Sequence, residues 1–262
     1  MAPQRYSLDS SYVSPLGQPL KFEFSGKTAK NRFLKAAMTE RISWDPKDFK
    51  ACGIPSKNLI NVYKGWGEGG YDNILTENIM IEYDQLEAMS NPIIPLEARF
   101  SGPQFEAFKE PATAAKTHGS LIVGQGFSPE EAKKLCEELE KANFDFTELS
   151  GGTYESLAFE HKRESTVKTE SLFIEFVEEI VTPLTKTKPY VRGGLETVGA
   201  MVKALDTVDG VGIARLACQE PHLPRDILDR DVTGAIQMKL DDNNFGLTNV
   251  AVGTQIRQVG KY

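Results

Sequence analysis

The sequence predicts an α/β fold, a parallel sheet of about six strands covered by helices in one domain over residues 1–262. Three observations carry this. Short apolar runs of strand length alternate with longer stretches of helical period, the pattern of βα units. The chain has 262 residues, close to the ~250 that a closed eight-unit barrel needs. No internal repeat, low-complexity tract or linker divides it. Periodicity yields six β/α units, two short of a closed barrel.

The elements follow in order. Residues 1–30 contain Ser, Pro and Gly and the alternating Leu20-Lys21-Phe22-Glu23-Phe24, a hairpin ahead of the main fold. Leu34–Met38 is the first buried strand, Asn73–Glu77 the second and Ser120–Gln125 the third. Ser128-Pro129-Glu130-Glu131 is a capping box with proline at the first helical position. Ala132, Leu135, Cys136, Leu139 and Ala142 then line one helix face. Phe144–Leu149 is the fourth strand. Phe173, Phe176, Val177, Ile180, Val181 and Leu184 repeat the helical period. Tyr190–Arg192 is the fifth strand and ends in Gly193-Gly194. Val198, Met201, Val202 and Leu205 mark the next helix, and Val211–Ala214 the sixth strand. The C-terminal remainder is polar and helix-prone.

Composition narrows the function. Hydrophobic residues make up 40% and charged residues 26%, as in an ordinary globular protein. A net charge of −7 argues against nucleic acid or an anionic membrane as partner. No apolar run reaches membrane-spanning length, and the N-terminus lacks an apolar signal core. Cys52, Cys136 and Cys218 are scattered and odd in number, which fits reduced thiols and a cytoplasmic protein. His118, His161 and His222 are equally scattered, so no metal site is expected.

Five segments carry a resemblance to a known family. They are Asn31–Glu40 (NRFLKAAMTE), Gly69–Asn78 (GGYDNILTEN), Gly119–Gln125 (GSLIVGQ), Tyr190–Gly194 (YVRGG) and Gly210–Arg215 (GVGIAR). In this order they resemble the first, second, third and last two barrel strands of the old yellow enzymes, flavin-dependent oxidoreductases, in the wording of the filamentous-fungal branch. The match runs from about Pro19 to the C-terminus. The resemblance implies a TIM-barrel derivative with an internal deletion at Gln125–Gly126, where the family continues into its fourth and fifth strands. Gly126-Phe127-Ser128-Pro129 instead resembles the entry to the helix after the fifth strand. The missing piece carries the family's histidine pair for the substrate carbonyl, its proton-donating tyrosine and a basic residue at the flavin ring. No His-x-x-Asn or His-x-x-His occurs anywhere in the chain.

By resemblance, Gly193, Gly194, Ala214 and Arg215 hold an FMN phosphate. Gly-rich strand ends let backbone N–H groups approach an anion, and arginine adds a bidentate donor; a tight strand–helix turn is the plainer use of Gly193-Gly194. Ala37, Met38 and Thr39 pack under the flavin ring, Thr39 bonding its carbonyl oxygen, while core packing alone also accounts for Met38. Asn78 lies near the ring where the family has a small residue. Gln125 bonds the pyrimidine edge, or simply caps a strand end. Glu148, with Tyr154 and His161 beyond its strand, is a candidate for acid–base work, against a plainer reading as a polar strand end and solvated loop.

The expected function is an FMN-binding relative of the NAD(P)H-dependent ene-reductases. It would act on an unsaturated small molecule of specialised metabolism, with hydride chemistry weakened by the lost groups. A flavin-independent isomerase or cyclase and a non-catalytic truncated product are the alternatives. Six strands either close into a smaller, distorted barrel or leave an opening that another copy covers. Self-association, a dimer or larger, is therefore expected.

Overall fold

The computed structural model describes residues 3–6, 12–43, 51–95, 102, 106–111, 129–150, 177–239 and 244–261. Five strands form one parallel sheet: β3 (Phe33–Lys35), β4 (Asn73–Ile74), β5 (Phe146–Ser150), β6 (Lys188–Arg192) and β7 (Gly210–Ile213). Their spatial order is β4-β3-β7-β6-β5. The first strand of this sheet therefore pairs with its last, through Phe33↔Val211, Leu34↔Gly212 and Lys35↔Ile213. That pairing wraps chain order into an arc, as in a closed β/α barrel. The structure is thus a partial barrel of five described strands. The expected strand over Ser120–Gln125, and the junction itself, lie outside the described residues.

Alternation along the strands separates two cores. Phe33, Val191, Val211 and Ile213 face outward into the main core, with Leu59, Tyr63 and Trp66 of helix α1 (Lys57–Glu68) and Met201 of α3 (Val198–Ala204). Leu34, Leu75, Phe146 and Tyr190 face inward and pack with Leu20, Phe22 and Ala29 of the N-terminal hairpin. That hairpin is β1 (Leu20–Lys21) paired antiparallel with β2 (Thr28–Ala29), as the sequence suggested. The carboxylates of Asp145 and Asp72 tie it to the N-terminal ends of β5 and β4, accepting from Ser25 N at 2.9 Å and Lys30 N at 2.7 Å. It plugs the lower end of the arc.

Helix boundaries follow from side-chain caps. Ser56 accepts from Leu59 N at 3.2 Å at the start of α1, and Thr197 from Ala200 N at 3.1 Å at the start of α3. Helix α2 (Pro129–Lys141) begins at the expected proline. Residues 177–181 are helical where the second apolar period falls. The C-terminal region forms α4 (Arg215–Gln219), α5 (Leu223–Arg230) and α6 (Phe245–Val259), the last capped by Asn244. Trp66 Nε1 donates to Ala217 O at 2.9 Å and locks α1 to α4. Among the described residues no helix is long and apolar enough to cross a membrane.

Two expected strands end early. Leu34–Met38 is realised as Phe33–Lys35, and Asn73–Glu77 as Asn73–Ile74. The ladder reaches one residue further, with Ala36 N to Ile213 O and Leu75 N to Lys35 O, both 2.9 Å. Beyond that point side chains replace strand partners: the Ala37 carbonyl accepts from Arg192 Nη1 at 2.8 Å. The other strands shift by one or two residues, with β6 starting at Lys188 and β7 at Gly210.

Candidate functional site

All five strands run the same way, so their C-terminal ends share one rim, the face that carries function in β/α barrels. Ala37, Met38 and Thr39 leave β3 there, Glu77 and Asn78 follow β4, and Glu148 lies on β5. Arg192, Gly193 and Gly194 end β6, and Ala214 and Arg215 follow β7.

The ends of β6 and β7 are adjacent and unusual in backbone. Gly193 has φ 117° and Gly194 φ 66°, the left-handed region that favours glycine. A Cβ on Gly193 would meet no atom of the described residues within 4 Å. Ala214, at φ −110° and ψ −94°, bends the chain into α4. The N–H groups of Gly193, Gly194 and Ala214 have no acceptor among the described residues. Donors left over at two neighbouring strand ends, with the half-buried Arg215 beside them, fit an anion such as a phosphate.

The Ala37 carbonyl accepts from Arg192 Nη1 at 2.8 Å, and the Ala37 N–H lies near enough to the Glu148 carboxylate to favour its charged form. Arg192 Nε stands 3.0 Å from Glu148 Oε1. The approach is off-axis, so that buried oxygen has an ionic neighbour but no hydrogen bond among the described residues. Burial raises the Glu148 pKa; Arg192, the Ala37 N–H and Lys35 act against it. Ser150, two residues on along the same face, is exposed.

Behind the rim, on the outer face, lies a buried polar cluster. Lys35 Nζ donates to Glu40 Oε1 at 2.5 Å and Leu75 O at 3.1 Å, and stands 4.0 Å from the Trp66 ring centroid. Tyr63 OH donates to Glu40 Oε2 at 3.4 Å and accepts from Glu77 N at 3.2 Å. Burial, then the charge of Glu40, push the Glu77 carboxyl up to about 10, so it holds its proton at neutral pH. Burial also lifts the Tyr63 phenol well above its ordinary value. Glu40 follows Thr39 and Glu77 precedes Asn78, so this cluster joins the two segments that carry those candidates.

The structure brings Ala37, Met38, Thr39, Glu148, Gly193, Gly194, Ala214 and Arg215 to one rim. Met38 is half-buried, packs on the main core and touches Cys218 Sγ with its sulfur at 3.5 Å. Asn78 is exposed at the same end. Gln125, Tyr154 and His161 lie outside the described residues. Sequence reasoning missed Arg192 and the Lys35–Glu40–Glu77 cluster. The signal was there: Lys35 is a lone charge inside the apolar run Phe33–Met38, and Arg192 has the strand parity of inward-facing Tyr190.

Comparison with known proteins gives the lineage. No protein-family model matches the chain. The NADH-dependent flavin oxidoreductase nadA of Aspergillus parasiticus is 30% identical over 381 aligned positions, covering 94% of this chain and 86% of that one. Against 262 residues here, at least 119 of those positions have no counterpart in this chain. This fits the deletion inferred at Gln125–Gly126. Among solved structures, a 2-naphthoyl-CoA reductase in complex with 2-naphthoyl-CoA matches with a TM-score of 0.57 at 10% identity, over 94% of this chain; the chain spans only 58% of that protein. This likeness concerns the fold alone. An old yellow enzyme homologue from Zymomonas mobilis aligns over 86% of this chain and 95% of its own, at 14% identity and a TM-score of 0.46, and adds no weight. The ordered motifs and the fungal relative together establish that the chain belongs to the old yellow enzyme family of NADH-dependent flavin oxidoreductases.

Proposed function

We propose that this protein is a flavin-binding oxidoreductase of reduced hydride-transfer capacity, acting on an unsaturated small molecule of specialised metabolism. The observation that carries the reading is the pairing of β6 with β7. It sets the unpaired N–H groups of Gly193, Gly194 and Ala214 side by side, next to Arg215 and one strand from Ala37–Thr39. These residues would hold the phosphate of FMN and the underside of its ring. Bound there, FMN supplies a two-electron carrier reducible by NAD(P)H. The chain contributes Thr39 as a donor to the ring's polar edge, Met38 as an apolar floor and Glu148 as an acid–base group. Tyr154 and His161 are the further acid–base candidates.

The reduction in capacity follows from the groups lost with the missing segment. Each donor that stabilises a developing enolate is commonly worth ~3–4 kcal/mol, and no histidine pair replaces the family's. The test is a titration of the purified protein with FMN, followed by visible absorbance and fluorescence quenching. Saturable binding weaker than is usual for the family is expected, with slow anaerobic bleaching by NADPH and poor turnover of cyclohexenone. Absence of FMN binding rejects the reading.

A flavin-independent isomerase or cyclase is the second reading, favoured by the retention of a charged inner rim, Arg192 and Glu148, without the histidine pair. Turnover with no cofactor added distinguishes it. Self-association and a cytosolic setting belong to the same proposal. Cys52, Cys136 and Cys218 are free thiols, and the expected dimer or larger species is read by light scattering at micromolar concentration.

A further inference from the structure

Arg192 is a charged side chain at the rim that the flavin reading leaves unused. It points inward from the end of β6, and the small residues Gly212 and Ala36 leave it room. A Cβ on Gly212 would stand 3.1 Å from the Cβ of Arg192 and 3.5 Å from that of Ala36. The side chain thus crosses β7 to reach the Ala37 carbonyl, just beyond the end of β3, at 2.8 Å.

An arginine serving only a structural ion pair tends to bind its carboxylate through two parallel N–H bonds. This one does not. Nη1 is spent on Ala37, Nε meets Glu148 off-axis, and Nη2 has no acceptor among the described residues. The Arg192 side chain keeps 32% of its exposure while Glu148 keeps 9%. Among the described residues the buried Glu148 Oε1 lacks a hydrogen bond, and no atom stands within 4 Å of where a Cβ on Gly193 would lie.

We propose that Arg192 is the receptor for the carboxylate of a small organic acid entering the rim, and that Glu148 is the internal carboxylate the ligand displaces. Two carboxylates on one partly buried guanidinium repel each other. Ligand binding therefore draws one proton from solvent onto Glu148, and no other bond forms or breaks. Burial already favours the neutral form of Glu148. The charged groups facing it from the described elements are Arg192 and, across the sheet, Lys35, which is paired with Glu40. As a statement about substrate, this rests on the proposed function and narrows it to unsaturated acids. As a statement about binding, it stands without a flavin.

The test is calorimetric titration of the full chain with benzoate, without added FMN, in two buffers of different ionisation enthalpy. Saturable one-to-one binding with uptake of about one proton is expected, weakening as pH rises because Glu148 must be protonated. Arg192→Met should weaken binding at least about tenfold, the loss of one charge-assisted hydrogen bond. Arg192→Lys, checked for native circular dichroism, should fall between, which covers the case in which the methionine variant does not fold. Glu148→Gln should bind at least as tightly, with no proton uptake. Absence of saturable benzoate binding, unchanged affinity in Arg192→Met and Arg192→Lys, or proton uptake surviving in Glu148→Gln overturns the proposal. FMN titration of the same proteins is read separately. Benzoate binding without FMN binding rejects the flavin reading alone, and the converse rejects this one alone.

Discussion

Lys35 and Glu40 form an ion pair with N···O 2.5 Å and both side chains wholly buried. Lys35 interrupts an otherwise apolar strand, and its ammonium is satisfied by one carboxylate, one carbonyl and the Trp66 face. A charge in that position is tolerable only while every partner is present. Lys35→Met leaves Glu40 buried without its cation, beside Glu77. It should destabilise the fold by about 3–5 kcal/mol, read as a lower urea midpoint. The double variant Lys35→Met/Glu40→Gln should recover part of that loss.

Glu77 gives stability a pH dependence of definite sign. Its carboxyl is raised from the ordinary 4.5 to about 10. Between these values the folded chain keeps a proton that the unfolded chain has released, so stability falls as pH rises through this window and levels off above it. The slope contributed by this one group is at most ~1.4 kcal/mol per pH unit. Glu77→Gln, which keeps the shape and cannot ionise, should flatten the dependence. Urea midpoints from pH 6 to 9 for the two proteins decide it, and parallel curves would exclude Glu77 as the source.

Gly210 is small because Tyr190 needs the space. A Cβ there would lie 2.1 Å from the ring of Tyr190, which is wholly buried and whose hydroxyl oxygen accepts from Asn73 Nδ2 at 2.9 Å. Gly210→Ala must push the ring against Phe146, whose centroid is 5.3 Å away. Overpacking of this kind costs about 1–3 kcal/mol. Thermal unfolding should show a lower midpoint, and Gly210→Ala/Tyr190→Leu should restore part of it.

Arg215 tests the phosphate cradle. A charge-assisted hydrogen bond is worth about 1.5–3 kcal/mol, so Arg215→Ala should weaken FMN binding at least tenfold while riboflavin, which has no phosphate, loses little. Equal losses for both ligands would place Arg215 elsewhere than at the phosphate.

The partial barrel is largely legible in the sequence. Apolar runs and helical periods placed five of the described strands and the helices over 129–141 and 198–204 within a few residues, because burial of alternate faces is written into local residue order. The ordered motifs also placed Ala37–Thr39, Gly193-Gly194 and Ala214-Arg215 at strand ends. Strand lengths were less legible. Where Leu34–Met38 gives way to loop depends on where β4 and β7 stop offering hydrogen bonds, and no local pattern in β3 records that.

Residue order alone established the βα alternation, the family and the missing segment, since these depend on which residues follow one another. Tertiary structure alone decided which charges meet. Glu148 and Arg192 are 44 positions apart in the chain and touch only because β5 pairs with β6 in the register Ser150↔Arg192. Arg192 reaches Ala37, 155 positions away, because β7 lies between them and carries Gly212 at the crossing. Lys35, Glu40 and Glu77 share one buried pocket because β3 and β4 are neighbours. Electrostatic coupling acts through space and depends steeply on distance and burial, quantities that only the folded chain possesses.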